Sequence, residues 1–211
     1  LNTSVRRLLV ATTNRDKLTE IRQVLGSSTV HIITLRDLPS IPVPDETGTT
    51  FEANARLKAR YYDHALPSAA EDGRYTVAED SGLLIDALDG EPGIHSARFV
   101  RPDAPYAEKF KEILRRLDRV PDSARTARFV CAVAVVHQGA VVFETTGTVD
   151  GTIAHAPRGT GGFGYDPIFF YPPFGLTLGE VSAEQKLRIA HRSLAFRELA
   201  TWLGTAPTNA P

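Results

Sequence analysis

The feature that most constrains this chain lies near its start, where the apolar run Leu8-Leu9-Val10-Ala11 meets six small or polar residues, Thr12-Thr13-Asn14-Arg15-Asp16-Lys17. Leu18, Ile21 and Leu25 follow at helical spacing. The segment therefore predicts a strand, a tight loop and a helix with one buried face. Asn14 is suited to cap that helix with its side-chain oxygen. Lys17 then falls in the first turn, where the helix dipole prefers acids. Exposed amides, the positive helix end and a lysine at one point favour an anion, such as a phosphate.

The pattern continues as alternating strands and helices, then becomes strand-rich. A strand is expected over 30–35, followed by a loop that Pro39, Pro42 and Pro44 keep irregular. Thr49 or Thr50 can cap a helix through Phe51, Ala55, Ala59 and Tyr62. A short strand over 75–79 is expected to end in the acids Glu79-Asp80, and Tyr106, Phe110, Ile113, Leu114 and Leu117 form a helical stripe. Apolar runs over 129–136 and 141–143 flank His137-Gln138-Gly139-Ala140 as a hairpin. A strand over 165–171 follows a glycine cluster. One final helix starts at Ser182, where Gln185 suits a capping box, and carries Leu187, Leu194 and Leu203. The expected class is α/β: a mixed, twisted sheet with flanking helices and two lobes around a central cleft. Residues 1–204 form this single two-lobed domain and 205–211 a frayed tail.

Composition removes several function classes. The 211 residues carry a net charge of -1, which offers no field for a nucleic-acid polymer or an anionic membrane. No apolar run approaches the ~20 residues that cross a bilayer. Residues 1–7 show no secretory pattern, and the lone Cys131 reads as a small core residue. These features predict the cytoplasm.

Two acidic segments carry the chemistry. Asp45-Glu46-Thr47-Gly48 lies in the proline-rich loop and Glu79-Asp80-Ser81-Gly82 at the expected strand end. Carboxylate oxygens suit a hard cation such as Mg²⁺. Adjacent acids also offer a general base beside a metal ligand. Asp45 and Glu46 alone read first as solvated loop charges. The apolar Leu83-Leu84-Ile85 puts Glu79 and Asp80 near the protein body, where an unpaired carboxylate is costly.

Gly159-Thr160-Gly161-Gly162-Phe163-Gly164 spells the dinucleotide fingerprint but leads into a strand, so that reading is rejected. A hairpin loop is one alternative. The other is a backbone that approaches a ligand, with Phe163 stacking and Asp166 accepting a hydrogen bond from a base. Lys186, Arg188, His191, Arg192 and Arg197 mark the last helix; His191 and Arg192 can direct donors into the cleft, whereas Arg188 and Arg197 read as a solvated face. The histidines show no metal-ligand spacing.

Taken in order, these segments resemble the inosine triphosphate pyrophosphatase family. The matching pieces are Leu9-Val10-Ala11-Thr12-Thr13-Asn14 with Lys17, then Asp45-Glu46-Thr47-Gly48 with Phe51-Glu52-Ala53-Asn54-Ala55 and Lys58-Ala59. Glu79-Asp80-Ser81-Gly82-Leu83 and Gly93-Ile94-His95-Ser96-Ala97-Arg98 follow. Gly161-Gly162-Phe163-Gly164-Tyr165-Asp166-Pro167 and Lys186 with His191-Arg192 complete the set, spanning about residues 8–203.

The resemblance implies Mg²⁺-dependent hydrolysis of deaminated purine triphosphates (ITP, dITP, XTP, dXTP) to monophosphate and pyrophosphate, cleansing the nucleotide pool, by a two-lobed homodimer. It implies that Thr12, Thr13, Asn14, Arg15, Asp16 and Lys17 hold the triphosphate, and that Asp80 is the base and a metal ligand. Asp45 would be a further ligand, with Glu79 a third candidate, and Ser81 would touch substrate. Phe163, Gly164, Tyr165, Asp166, Lys186, His191 and Arg192 would form the base and phosphate pocket. Glu79, Thr13 and Ala190 depart from the common family residues Asp, Gly and Ser. Two rivals remain: a nucleotide-binding module without turnover, and a pyrophosphatase for other modified nucleotides similar to the Maf-like group.

Overall fold

A computed structural model describes residues 6–26, 30–65 and 73–205. Of the expected tail over 205–211, Thr205 instead closes the last helix, and 206–211, like the first five residues, lie outside the described residues. The chain divides into two compact units. One is built from 1–80, 131–147 and 192–211, the other from 81–130 and 148–191.

Seven strands run in the order β2-β1-β3-β4-β5-β6-β7 in one mixed sheet. β1 (Arg6–Val10) pairs in parallel with β2 (Val30–Thr34) and with β3 (Tyr75–Ile85). Parallel neighbours need crossovers. The first is α1 (Arg15–Leu25), which lies between β1 and β2 in the chain, and α2 (Phe51–His64) lies between β2 and β3. β4 (Thr126–His137) and β5 (Ala140–Ile153) are joined by Gln138-Gly139, both at positive φ as a two-residue hairpin requires. β6 (Phe169–Tyr171) and β7 (Leu176–Thr177) continue the sheet in antiparallel fashion.

In the first unit, Leu18, Ile21 and Leu25 of α1 pack with Leu8, Val10, Val77, Val133 and Phe196. Thr50 caps α2, and Phe51, Ala55, Ala59 and Tyr62 form its buried face as their spacing predicts. In the second unit α3 (Tyr106–Arg116) sets Phe110 and Ile113 against Leu83, Ile85, Phe129 and Phe169. Tyr106, at the head of its stripe, remains 39% exposed.

Three expected boundaries move. β3 continues through Asp80 and Ser81 to Ile85, so the acids lie within a strand rather than at its end. Buried Leu83 and Ile85 hold the chain extended past Ser81-Gly82, which alone reads as a turn. Asp166–Ile168 forms a short 3₁₀ turn ahead of β6, because Pro167 has no N–H for a ladder. The last helix is two helices, α4 (Ala183–Ile189) and α5 (His191–Thr205), separated by an extended Ala190 at φ -63° and ψ 140°. The Ser182–Gln185 capping box opens α4 as expected.

Candidate active site

The β1–α1 loop is fixed from both ends. Ala11 N donates to Val77 O at 2.8 Å, which ties the end of β1 to β3. Asn14 Oδ1 accepts from Asp16 N at 2.9 Å and from Lys17 N at 3.1 Å. Asn14 N in turn donates to Thr12 Oγ1 at 3.2 Å. Thr13, Asn14, Arg15 and Asp16 are exposed, and Thr12 and Lys17 half-buried. The helix start thus turns inward at Lys17 alone, whose Nζ lies 2.6 Å from Glu79 Oε1.

Neighbouring residues on a strand face opposite ways, and β3 uses this to give its two acids different surroundings. Glu79, 4% exposed, faces cations: Lys17, and Arg192 whose Nη2 lies 3.6 Å from Glu79 Oε2. Arg192 Nη1 donates to Glu20 at 2.5 Å, and Cys131 Sγ donates to Glu79 Oε2 at 3.4 Å. Asp80, 5% exposed, accepts from Asn54 Nδ2 and from Lys58 Nζ, each at 3.1 Å. Lys58 Nζ also meets Glu46 Oε1 at 2.5 Å. Asn54 Oδ1 takes Gly48 N at 2.8 Å, so its amide bridges the proline-rich loop to Asp80. A Cβ at Gly48 would stand 2.5 Å from that oxygen, which is why the loop needs glycine there.

The two carboxyls are driven in opposite directions. Burial works to raise Glu79, but Lys17, Arg192 and Lys58 outweigh it and hold the group well below the usual carboxylate range. Burial pushes Asp80 up, the Glu46 and Glu79 charges add to this, and Lys58 and the Asn54 hydrogen bond only partly oppose it. Burial works to lower Lys58, yet Asp80, Glu79 and Glu46 together raise it, so the ammonium persists. Burial and the adjacent Glu79 keep Cys131 a thiol. Glu79 is thus held toward its charged form and Asp80 toward its protonated form.

The second unit assembles the glycine loop. Asp166, buried, accepts from Phe163 N at 2.8 Å and pairs with Lys186 Nζ at 2.5 Å. The Lys186 ammonium lies 4.7 Å from the centroid of the Phe163 ring, a cation–π contact. Gly162 turns at φ +66°, and a Cβ there would overlap Asp166 Oδ2. Tyr165 is buried and donates to Ser96 O at 2.8 Å, with Gly164 half-buried before it. His191 stacks on Phe129 with centroids 4.8 Å apart and planes 11° apart. Ser81 is half-buried on β3.

The donor chemistry fits a hard divalent cation. Glu46 and Asp80 direct carboxylate oxygens at a single positive centre, the Lys58 ammonium, and oxygen sets of this kind suit Mg²⁺. Asp45 stands exposed in its loop, and among the described residues no three His, Cys, Asp or Glu side chains form a ready-made metal cluster.

From sequence, Asn54, Lys58 and Glu20 carry no role of their own, and Glu46 enters only beside Asp45 as a candidate acid. Lys58 and Asn54 lie four residues apart on α2 and therefore share a face. That spacing opposite an acidic strand was the available signal. Glu20 sits one turn beyond Asp16 on α1 and carries none.

Residues 8–202 match the sequence model of the Ham1 family. A dITP/XTP pyrophosphatase of Geobacillus kaustophilus is 43% identical over 195 residues, 92% of this chain and 93% of that protein. One from Listeria monocytogenes is 41% identical over 193 residues, 92% of each chain. Among solved structures, a HAM1 protein from Coxiella burnetii matches with a TM-score of 0.83 at 36% identity, over 95% of this chain and 100% of that one. A nucleoside-triphosphatase (dITP/XTP pyrophosphatase) from Mycobacterium abscessus matches with a TM-score of 0.72 at 38% identity, over 92% of this chain and 98% of that one.

Proposed function

Because the chain belongs to the Ham1 family, we propose that it hydrolyses deaminated purine nucleoside triphosphates, dITP, ITP, XTP and dXTP, to the monophosphate and pyrophosphate. The observation that carries this reading is Asp80: a buried carboxyl with a raised pKa, aimed by Asn54 and Lys58. A base near its working pH must hold a proton transiently, and these contacts tune and orient the group that does so.

In this reading the loop from Thr12 to Lys17 receives the triphosphate, and Lys17 and Lys58 supply positive charge for it. Asp80 accepts a proton from water as the water oxygen bonds to the α-phosphorus. The bond from that phosphorus to the bridging oxygen breaks, and pyrophosphate leaves with the electron pair. Mg²⁺, held by Asp80 and Glu46 with Asp45 in the same loop, would supply charge neutralisation for the phosphates. Glu79 is the less suited ligand, since Lys17 and Arg192 already occupy it.

The contacts to the base fall to the residues that the resemblance implies. Phe163 offers a ring, and the Gly164–Asp166 segment, Lys186 and His191 offer donors and acceptors. A donor facing the 6-keto oxygen would be left unpaired by adenine, a mismatch that can discriminate by roughly 10⁴-fold when buried. The assembly expected from the family is a homodimer working on free nucleotides, and no helix among the described residues is long and apolar enough to cross a membrane.

Pyrophosphate release measured with dITP, XTP, dATP, dGTP and modified pyrimidine triphosphates, with and without Mg²⁺, tests the proposal. Release confined to the 6-keto purines and dependent on Mg²⁺ is expected. No release from any of them would leave a binding module, and preference for a modified pyrimidine would move the substrate class. A species of only ~23 kDa in light scattering at micromolar concentration would exclude the dimer.

A further inference from the structure

Two aromatic rings in the second unit are built alike, and only one of them was visible as part of a ligand loop. Phe163 carries the Lys186 ammonium 4.7 Å from its centroid. Tyr106, at the start of α3, carries the Lys109 ammonium at the same 4.7 Å. Gly164 lies between these arrangements: it follows Phe163, and the position of a Cβ on it falls 3.6 Å from the Tyr106 hydroxyl oxygen and 3.8 Å from Cζ. Tyr106 also meets Tyr165 edge-on, with centroids 5.2 Å apart and planes at 89°. One glycine loop is thus bordered by two rings, each with a buried lysine against it.

The support beneath Tyr106 is specific. Lys109 is 2% exposed, and Nζ donates to the backbone carbonyl of Ala97. A long flexible ammonium buried this way, without a carboxylate bonded to it among the described residues, is costly unless its contacts compensate. Between Ala97 and Tyr106 the chain passes through Val100 at φ +71°. A β-branched residue rarely adopts that conformation, and such strain persists only where neighbours hold it. The Lys109–Ala97 hydrogen bond and the Arg101–Glu108 ion pair (2.6 Å) lie on either side of it in the chain. Tyr106 nevertheless remains 39% exposed beside the loop, although an aromatic ring gains most when covered.

We infer that Tyr106 is a second aromatic wall of the base pocket, a base-binding residue, and that Lys109 is the positioning residue that sets its ring. The inference rests on the proposed role of the glycine loop in holding a purine. The ammonium on one side of the ring fixes it, and the exposed remainder meets a flat heterocycle that enters against Phe163. Stacking of this kind is tolerant of base identity. Tyr106 therefore sets how tightly any purine is held, and the hydrogen-bonding residues choose among purines.

Steady-state kinetics on the full chain test this. Tyr106→Ala is expected to raise KM for dITP about 10-fold, with kcat changed less than about 2-fold. The inhibition constant of inorganic tripolyphosphate, which has no base, should stay as in the parent protein. Tyr106→Phe keeps the ring and should keep KM. Lys109→Met should raise KM partway in the same pattern. Because Lys109 is buried and its loss can unfold the unit, Tyr106→Ala at the half-exposed ring decides the matter. An unchanged KM in Tyr106→Ala, or a rise shared by KM and the tripolyphosphate constant, overturns the inference. Phe163→Ala, run alongside, separates the two levels. If it alone loses dITP affinity, Tyr106 is no wall and the glycine-loop reading stands; if neither variant does, that reading itself falls.

Discussion

Lys17 Nζ stands 2.6 Å from Glu79 Oε1, joining the first turn of α1 to the middle of β3. The lysine that the helix dipole disfavours therefore has a fixed counter-charge inside the chain. Arg192 approaches the same carboxylate from α5. Glu79 is a built-in anion among cations that a phosphate would also satisfy. Glu79→Gln should lower stability by about 2–4 kcal/mol, because removing one partner leaves buried positive charge uncompensated. Tripolyphosphate should then raise Tm more in the variant than in the parent, since it replaces the lost charge. Equal ligand-induced shifts in the two proteins would rule out that substitution of one anion for another.

Asp80→Asn keeps the shape of the side chain and removes its capacity to take a proton. Turnover of dITP should fall by about 10²–10⁴-fold, the usual contribution of a positioned base. Binding of dITP, followed by calorimetry, should weaken far less. Full turnover in this variant would remove Asp80 from the base role. Lys58→Met, which leaves Asp80 buried with Glu46 nearby and without its ammonium, should cost both affinity and rate.

Much of the first unit was legible because its signals are local. Asn14 and Thr50 announce their helices through capping chemistry within three residues, and Leu18, Ile21 and Leu25 display their face by spacing. The site itself depends on pairs far apart in sequence. Lys58 meets Asp80 across 22 positions and Arg192 meets Glu20 across 172, and no periodicity reports such pairs. The resemblance singles out Asp45 in the acidic loop, whereas Glu46 is the residue whose carboxylate reaches Lys58. The break at Ala190 was invisible for a related reason. No proline or glycine marks it, and the cations on either side answer to different partners: Lys186 to Asp166, Arg192 to Glu20 and Glu79.

The opposed shifts of the two acids give a pH signature. Asp80 must be ionised to act, and its pKa lies above the ordinary 3.8. In the metal-free protein the Asp80 carboxyl, followed by NMR, should therefore titrate with its midpoint above that value, and Mg²⁺ bound to it should move the midpoint down. Lys58→Met should move the midpoint higher still, since Lys58 is the charge that lowers Asp80. For stability the signs separate. Glu79, depressed below 4.5, contributes fully above that pH, and its contribution is lost only as pH falls through the depressed value. Asp80, raised, favours the folded state at low pH and loses that advantage as pH rises through its folded pKa. A midpoint at or below 3.8 in the metal-free protein would contradict the raised Asp80 carboxyl on which the base assignment leans.

The final prediction concerns Asp166, which holds Phe163 N and Lys186 Nζ together. Asp166→Asn retains an acceptor for the amide but leaves the buried Lys186 without its full counter-charge. Stability should fall by about 3 kcal/mol, within the range for breaking a buried pair. The phenotype should reach function through Phe163, whose ring Lys186 steadies. KM for dITP should rise while the tripolyphosphate inhibition constant remains near the parent value. Gly162→Ala should give the same division by another route, because its Cβ would overlap Asp166 Oδ2 at a backbone angle few side chains accept. If both variants weakened tripolyphosphate as strongly as dITP, the loop would be serving the phosphates, and the assignment of the base to Phe163 and Asp166 would fail.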